Sequence, residues 1–186
     1  MINPNVELKR IHKRLLSRIW KEGQQLKIRG EDYKEIVNVR FTFRFTPVEE
    51  TKIQHINVIN NEILAKLSLF LPIFEKDANT RQLFLYFPEL IKGEPPCNLI
   101  YHFLFREGQM NLNVYTRSWD ILNKWSTDIH TALYCLSYFC EKTGTKRGTT
   151  TFFVGSCHVS MNATLEGKFV GTAHDIIKKT KEEVVQ

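Results

Sequence analysis

The sequence lacks several features that would place it in a special class of protein. No apolar run approaches the length needed to span a bilayer, and residues 1–14 have no apolar core of the kind that a signal peptide carries. There are no internal repeats, no low-complexity segments and no linker. We therefore expect a soluble, cytoplasmic protein that makes no contact with a membrane.

Cysteine is scarce, with four residues among 186 and no C-x-x-C pair. The histidines do not complete a zinc motif with them, so we expect no metal site. In a reducing compartment the four side chains should be thiols. Cys135 and Cys140 lie in an apolar stretch and are expected in the core, whereas Cys97 follows two prolines that stiffen its turn.

The composition fits one folded domain, residues 1–186. A chain of this length buries roughly 70% of the surface that it exposes when unfolded. The net charge is +6, from 26 Lys and Arg against 20 Asp and Glu. A positive field attracts an anionic ligand, either a nucleotide or a nucleic acid, although a basic surface also serves solubility alone. Because no RNP, zinc-finger or helix-turn-helix pattern is present, nucleic acid is the less favoured partner.

Hydrophobic periodicity predicts an α+β domain with a mixed or antiparallel sheet packed with helices. The strand at 35–45 alternates, which puts Val37, Val39, Phe41, Phe43 and Phe45 on one face. The segments 98–107 and 110–117 are expected to pair as a hairpin around Glu107-Gly108. Helical spacing and turn residues predict the remaining elements, which are helices over 6–25, 51–70 (ending near Pro72), 127–140 and 173–184, turns at 29–32 and 93–96, and strands over 83–87 and 149–154.

Residues with chemical potential follow one another in a fixed order. Pro96-Cys97 precedes the hairpin, Arg117-Ser118-Trp119-Asp120 ends it, Asp128 stands at the next helix start, and Gly155-Ser156-Cys157-His158 comes after a further strand. The intervals are 20 residues from Cys97 to Arg117, 8 from Asp120 to Asp128 and 30 from Asp128 to His158. With this order and spacing the chain resembles the thymidylate synthase family, which includes the deoxycytidylate hydroxymethylases.

The resemblance covers about residues 6–163, as judged from the order of the motifs, and leaves 164–186 as a C-terminal helical tail. It implies a thymidylate-synthase-like fold and a pyrimidine nucleoside monophosphate as substrate. It also implies that Cys97 adds to C6 of the base, for which a thiolate is the best protein nucleophile. Arg117 is the expected neighbour whose positive charge favours the thiolate. From Cys97 alone, a buried structural thiol would be the alternative.

Arginines of this chain match positions that bind phosphate in the family. Arg117, Arg81 and Arg29 offer a planar fork of donors that suits phosphate oxygens, and Ser118 adds a hydroxyl. The residue corresponding to Arg81 reaches the phosphate of the neighbouring subunit, which implies a homodimer assembled through the sheet face. The alternative is that these are ordinary surface arginines.

His158 and Ser160 match positions where the family places a His and a Tyr on the sugar hydroxyl. Ser160 lacks the reach of a phenol, so the resemblance leaves ribose against deoxyribose open. Asp120 matches the family's Asp near the folate pterin, with a solvated or hairpin-capping carboxylate as the alternative. Glu62 matches the catalytic glutamate, with a solvated helix surface as the alternative.

Asp128 indicates the base. Uracil-specific members of the family carry Asn at this position, whereas members that act on cytosine carry Asp. A carboxylate accepts a hydrogen bond from the N4 amine of cytosine. An Asp here would also serve as the cap of a helix that begins near Ile129, and the two roles are compatible.

The resemblance therefore implies a C5-hydroxymethyltransferase that acts on dCMP or CMP with 5,10-methylenetetrahydrofolate. One alternative is methylation of dUMP of the thymidylate synthase type. Another is a catalytically degenerate nucleotide-binding protein, since the chain is shorter than is usual in the family. Ser156 and Asn98 also depart from the family's Asp and His, and the tryptophan-rich wall and the C-terminal folate-closing tail have no counterpart.

Overall fold

A computed structural model of the chain describes residues 4–44, 61–86, 97–161, 164–165 and 168–169. Within these ranges the helices are α1 (Pro4–Glu22), α2 (Asn61–Ser68), α3 (Leu71–Lys76) and α4 (Trp125–Thr143). The strands are β1 (Gln24–Ile28), β2 (Glu31–Arg44), β3 (Phe84–Tyr86), β4 (Asn98–Arg106), β5 (Gln109–Asp120), β6 (Lys146–Ser160), β7 (Thr164–Leu165) and β8 (Lys168–Phe169). Of the helices described, none is both long enough and apolar enough to cross a membrane.

Six strands form one sheet in the order β1-β2-β6-β5-β4-β3, and β7 pairs with β8 separately. The pairs β1/β2, β3/β4 and β4/β5 are antiparallel. The hairpin of β4 and β5 was predicted, and it turns at Glu107 (φ 51°) and Gly108 (φ 73°). The predicted α+β fold, a mixed sheet packed with helices, is confirmed.

The chain divides into two compact units. The first unit is drawn from Met1–Val39, Arg117–Ser126 and Val154–Gln186, and the second from Arg40–Thr116 and Thr127–Phe153. In the first unit, α1 buries Leu15, Leu16 and Ile19. The ring of His12 on the same helix stacks on Trp125 with centroids 4.8 Å apart, and its Nε2 lies 2.9 Å from the backbone oxygen of Ile121.

The second unit is built around aromatic side chains of β4, β6, α3 and α4. Phe139 of α4 contacts Phe103 and Phe74, with centroids 5.2 Å and 5.9 Å apart. Phe103, Phe139 and Phe152 are fully buried. Such rings bury large apolar areas, so they contribute strongly to the hydrophobic stabilisation of this unit. The core positions predicted for Cys135 and Cys140 are confirmed, because both are buried on α4.

The N-terminal part of the chain corrects the predicted elements in two places. The helix ends at Glu22 rather than at 25, because residues 24–28 form the unpredicted strand β1. Arg29 (φ 52°) and Gly30 (φ 87°) make the two-residue turn to β2, and positive φ at both positions matches the twist of a hairpin. Glu31 and Asp32, which were predicted to belong to the turn, already pair within the strand.

The predicted common face of strand 35–45 is wrong at Val37, which is 56% exposed. Asn38 adopts a left-handed backbone conformation (φ 55°), which interrupts the alternation of buried and exposed residues along β2. As a result, Ile36 before the interruption and Val39 after it are both buried. Val39 and Phe43 are buried as predicted. Phe45 lies outside the described residues.

Two helix predictions also shift. α2 ends at Ser68, and Pro72, which was expected to stop the helix, instead lies in the first turn of α3, where its missing N–H costs nothing. α4 begins at Trp125, so Ser126 and Thr127 lie inside it rather than at its cap. β6 extends the predicted strand 149–154 at both ends. The segments 51–60, 93–96 and 173–184 lie outside the described residues.

Candidate active site

Cys97 differs from the other cysteines in its exposure. All four lie within the described residues and none forms a disulfide, but only Cys97 is exposed. Burial is the main cause that raises the pKa of Cys135 and of Cys157 to about 12, and that of Cys140 to about 11. Those three thiols are therefore poor nucleophiles. The alternative reading of Cys97 as a buried structural thiol is wrong.

The backbone next to Cys97 is irregular. Asn98 pairs with Thr116 and Ile100 with Tyr115, so Leu99 is an extra residue on β4 with no partner on β5. A bulge of this kind bends the strand and redirects the neighbouring side chains. Cys97 thus stands two residues before a local distortion of the sheet, just ahead of the first residue of β4.

The side chain of Asn98 links the two strands of the hairpin. Thr116 donates its hydroxyl to Asn98 Oδ1 at 2.7 Å, and Asn98 Nδ2 donates to the hydroxyl of Tyr101 at 3.3 Å. The sequence prediction missed Tyr101 and Thr116. A signal for Thr116 was present, because it continues the buried alternation of Met110, Leu112 and Val114 as a polar residue.

Asp128 is half-buried in the first turn of α4, where a carboxylate is favoured by the helix dipole. It does not occupy the predicted cap position before Ile129, because the helix begins earlier, at Trp125. Burial, and then the charges of Cys135 and Asp128, raises the pKa of Tyr101, whereas the hydrogen bond from Asn98 lowers it. The negative charge of Asp128 thus acts on the phenol of Tyr101, which accepts a hydrogen bond from Asn98.

In the first unit, the sequence-predicted residues Ser118 and His158 come together. Ser118 Oγ lies 3.5 Å from His158 Nδ1. Burial lowers the pKa of His158, and the negative charges of Asp120 and Glu35 raise it. Glu35 in turn accepts a hydrogen bond from the hydroxyl of Ser156.

Tyr33 is a member of this cluster that the sequence prediction missed. Its ring meets the imidazole of His158 edge to face, with centroids 5.4 Å apart, and its hydroxyl donates to Glu31 Oε2 at 2.7 Å. That hydrogen bond is the main cause that raises the pKa of Tyr33, with a further rise from Asp120 and a lowering by Arg29. Arg29 and Asp120 are thus close enough to Tyr33 to act on its charge. The sequence carried one signal for Tyr33, which is the turn at Arg29-Gly30. A hairpin at that turn places Tyr33 in the sheet.

Asp120 is hydrogen-bonded to the turn that follows it, which leads from β5 to α4 and is not a hairpin. Its Oδ1 accepts from the backbone N–H groups of Leu122 at 3.1 Å and Asn123 at 3.2 Å. Its Oδ2 accepts from Asn123 Nδ2 at 2.7 Å. A carboxylate offers about four acceptor positions, so one position remains for a ligand.

The remaining candidates differ in their exposure. Arg29, Arg81 and Arg117 are exposed, and Ser160 is half-buried near the end of β6. Arg81 follows α3 in a turn where its backbone oxygen lies 3.2 Å from His102 Nε2. Glu62 is the second residue of α2, and its side chain lies outside the description. The described part of the chain contains no group of three His, Cys, Asp or Glu residues that could hold a metal ion.

The mixed six-stranded sheet and its helices define a thymidylate-synthase-like α+β fold. One similar solved structure is thermostable thymidylate synthase A from Bacillus subtilis, with a TM-score of 0.73. The match covers 94% of this chain and 84% of that chain, with 12% sequence identity. No protein-family model and no curated protein sequence matches the chain. The likeness therefore concerns the fold.

Proposed function

We propose that this chain is a one-carbon transferase that modifies C5 of a pyrimidine nucleoside monophosphate, with Cys97 as the nucleophile. The observation that carries the proposal is the exposed thiol of Cys97, two residues before the bulge at Leu99 and next to Asn98, whose amide is hydrogen-bonded to Thr116 and Tyr101. The buried state of the other three cysteines supports the choice of Cys97. The shared fold with a thymidylate synthase makes the chemistry plausible for this scaffold.

The reaction would proceed by covalent catalysis. The sulfur of Cys97 forms a bond to C6, and the electron pair of the C5–C6 double bond moves to C5, which becomes nucleophilic. After C5 has gained a methylene carbon, loss of the C5 proton would release the carrier of that carbon and leave an exocyclic methylene group on the base. Addition of water to the methylene carbon would then form the hydroxymethyl group, and departure of the thiolate would restore the C5–C6 double bond. The base that removes the C5 proton would be Glu62, the residue that the family resemblance implies.

Asp128 would read the base. Its carboxylate, half-buried in the first turn of α4, would accept a hydrogen bond from the N4 amine of cytosine. We therefore propose dCMP or CMP as substrate and 5-hydroxymethylation as the reaction. Methylation of dUMP and nucleotide binding without catalysis are the competing outcomes of the test below.

Phosphate and sugar would be held by the polar residues that the family resemblance indicates, with Arg81 acting across the dimer. Arg117, Arg29 and Ser118 supply charge and a hydroxyl that suit phosphate. His158, packed edge to face against Tyr33, would contact a sugar hydroxyl, and Ser160 lies two residues further along the same strand.

A folate cofactor fits the chain at one point. Asp120 keeps one acceptor position beyond its three turn hydrogen bonds, so it remains able to accept from a pterin. Methylenetetrahydrofolate would supply a one-carbon unit at the oxidation level of formaldehyde.

The test is a panel of C5-tritiated dCMP, dUMP and CMP, each incubated with and without methylenetetrahydrofolate, with the products separated by chromatography. The proposal predicts release of tritium and a 5-hydroxymethyl product from a cytosine nucleotide. A methylated product from dUMP alone would contradict the cytosine assignment. Nucleotide binding with no release from any substrate would identify a degenerate binder.

We further propose that the protein is a homodimer in which Arg81 contacts the phosphate bound by the partner subunit. The exposed guanidinium of Arg81, on a turn between α3 and β3, is consistent with such a role. Sedimentation equilibrium at micromolar concentration should give twice the mass of one chain, 21.9 kDa. A mass of one chain would contradict the role of Arg81.

A further inference from the structure

Tyr33 of β2 lies beside the polar residues at the end of β6. The two strands are neighbours in the sheet, and the backbone N–H of Met161 donates to the backbone oxygen of Asp32 at 2.8 Å. Tyr33, one residue further along β2, meets His158, which lies three residues earlier in the chain than Met161. The strands therefore run in opposite directions here, and Tyr33 is the cross-strand neighbour of Ser160 on the side of the sheet that carries His158.

The phenol ring of Tyr33 packs against the imidazole of His158. The two rings meet edge to face with centroids 5.4 Å apart, and both side chains are half-buried. Ser118 Oγ lies 3.5 Å from Nδ1 of His158. Because the two ring nitrogens of a histidine point in different directions, a ligand would meet the imidazole at Nε2 while Nδ1 faces Ser118.

Glu31 fixes the direction of the Tyr33 hydroxyl. That hydroxyl donates to Glu31 Oε2 at 2.7 Å, and Glu31 lies two residues before Tyr33, on the same face of β2. A hydroxyl that gives its proton to a carboxylate keeps its oxygen lone pairs, so it acts toward a ligand as an acceptor. The first unit therefore offers, side by side, a phenol acceptor from β2 and an imidazole from β6.

We propose that Tyr33 is a specificity-determining residue that selects ribose over deoxyribose in the bound nucleotide. This role rests on the proposed function, in which His158 contacts a sugar hydroxyl. Ribose carries hydroxyl groups on two adjacent carbon atoms, C2′ and C3′. The neighbouring phenol and imidazole suit such a pair, with Tyr33 accepting a hydrogen bond from one hydroxyl and His158 contacting the other.

Deoxyribose keeps only the C3′ hydroxyl, so dCMP makes one of these two contacts. It remains a ligand and a substrate, but a weaker one than CMP. One additional hydrogen bond corresponds to about a three- to tenfold difference in affinity. Of the two cytosine nucleotides, CMP is therefore the preferred one.

The test is isothermal titration calorimetry of CMP and of dCMP, with the ratio of the two Kd values as the readout. The wild type should bind CMP about three- to tenfold more tightly than dCMP. Tyr33→Phe keeps the ring against His158 and removes the hydroxyl, so it should abolish this preference by weakening the binding of CMP alone. Tyr138→Phe is the matched control, because Tyr138 is also half-buried and its hydroxyl lies 2.9 Å from Ser68 Oγ in the second unit. It should leave the ratio unchanged.

Glu31 provides a second test that keeps the phenol in place. Glu31→Ala removes the acceptor that fixes the Tyr33 hydroxyl, and should reduce the preference for CMP by a smaller factor. Glu31→Gln retains an amide oxygen that can accept from the same hydroxyl, and should preserve the preference. A merely structural role of the two residues would change both Kd values alike and would not move their ratio.

The outcomes separate this role from the proposed function. If the wild type releases tritium from C5-labelled cytosine nucleotides but binds CMP no more tightly than dCMP, the role of Tyr33 is overturned while the proposed function stands. The role is also overturned if Tyr33→Phe keeps the preference or weakens both nucleotides equally. If the wild type binds neither nucleotide, the proposed function fails and this role fails with it. Loss of the preference in Tyr33→Phe, but not in Tyr138→Phe, supports selection of ribose by Tyr33.

Discussion

A methyl group on Gly155 would stand 2.8 Å from the backbone oxygen of Arg117. That distance is shorter than real Cβ contacts allow, and a backbone oxygen in a sheet cannot move aside cheaply. Gly155 lies two residues after Phe153 on β6, and Arg117 belongs to the segment expected to bind phosphate. The two motifs Gly155–His158 and Arg117–Asp120 are therefore in direct contact at this glycine.

Gly155→Ala should lower the free energy of unfolding by about 1–3 kcal/mol, because the added methyl group forces the two backbones apart. Urea unfolding followed by fluorescence measures this change. In a strand position without a close contact, the same substitution would raise stability by about 0.5–1 kcal/mol. An increase in stability would thus contradict the close packing of Gly155 against Arg117.

Asp128→Asn should move the preference from cytosine toward uracil nucleotides. The amide can donate to O4 of uracil, whereas the carboxylate accepts from N4 of cytosine. The ratio of kcat/KM for dCMP to that for dUMP should fall by about 10- to 100-fold. The control is Glu141→Gln, which also removes one negative charge but at an exposed position near the end of α4. It should leave the ratio unchanged. An equal loss with both nucleotides in Asp128→Asn would show that the residue does not read the base.

Stability should fall as the pH is lowered below about 6.5. Burial lowers the pKa of His12 and of His158 below 6.5 in the folded protein. In that range the unfolded chain binds more protons than the folded one, so the free energy of unfolding decreases as the pH falls toward the folded pKa values. The stabilisation is fully present above pH 6.5, in the neutral range.

Urea unfolding at pH 7.5 and pH 5.5 measures this dependence. The double variant His12→Gln/His158→Gln should lose less free energy of unfolding between pH 7.5 and pH 5.5 than the wild type. The same loss in the variant and the wild type would assign the dependence to other groups.

The sequence predicted best where a local pattern specifies the structure. The hairpin of β4 and β5 was predicted because its strands are long, β5 alternates apolar and polar residues, and its turn carries Gly108. β1 was missed because QQLKI has little apolar content, and only Leu26 of its residues is even half-buried. The exposure of Val37 was not predictable from alternation, because the left-handed backbone at Asn38 resets the period.

The candidate site was predictable only in part for a similar reason. Motif order predicted Cys97, Ser118, Asp128 and His158 as site residues, and the structure describes a contact between two of them, Ser118 and His158. Tyr33 and Tyr101 were missed because they carry no motif, and each meets a predicted or neighbouring residue only through tertiary contacts: Tyr33 meets His158 in the first unit, and Tyr101 meets Asn98 in the second. Such contacts depend on register in three dimensions, which a single sequence does not encode locally.

The most direct test of the central claim is exchange of the C5 proton in deuterium oxide, followed by proton NMR of dCMP without added cofactor. Addition of the Cys97 sulfur to C6 makes C5 able to take up deuterium, and elimination then releases the original proton. The account predicts exchange with the wild-type protein and none above background with Cys97→Ser. Equal exchange with both proteins, or none with either one while the nucleotide is bound, would contradict Cys97 as the nucleophile.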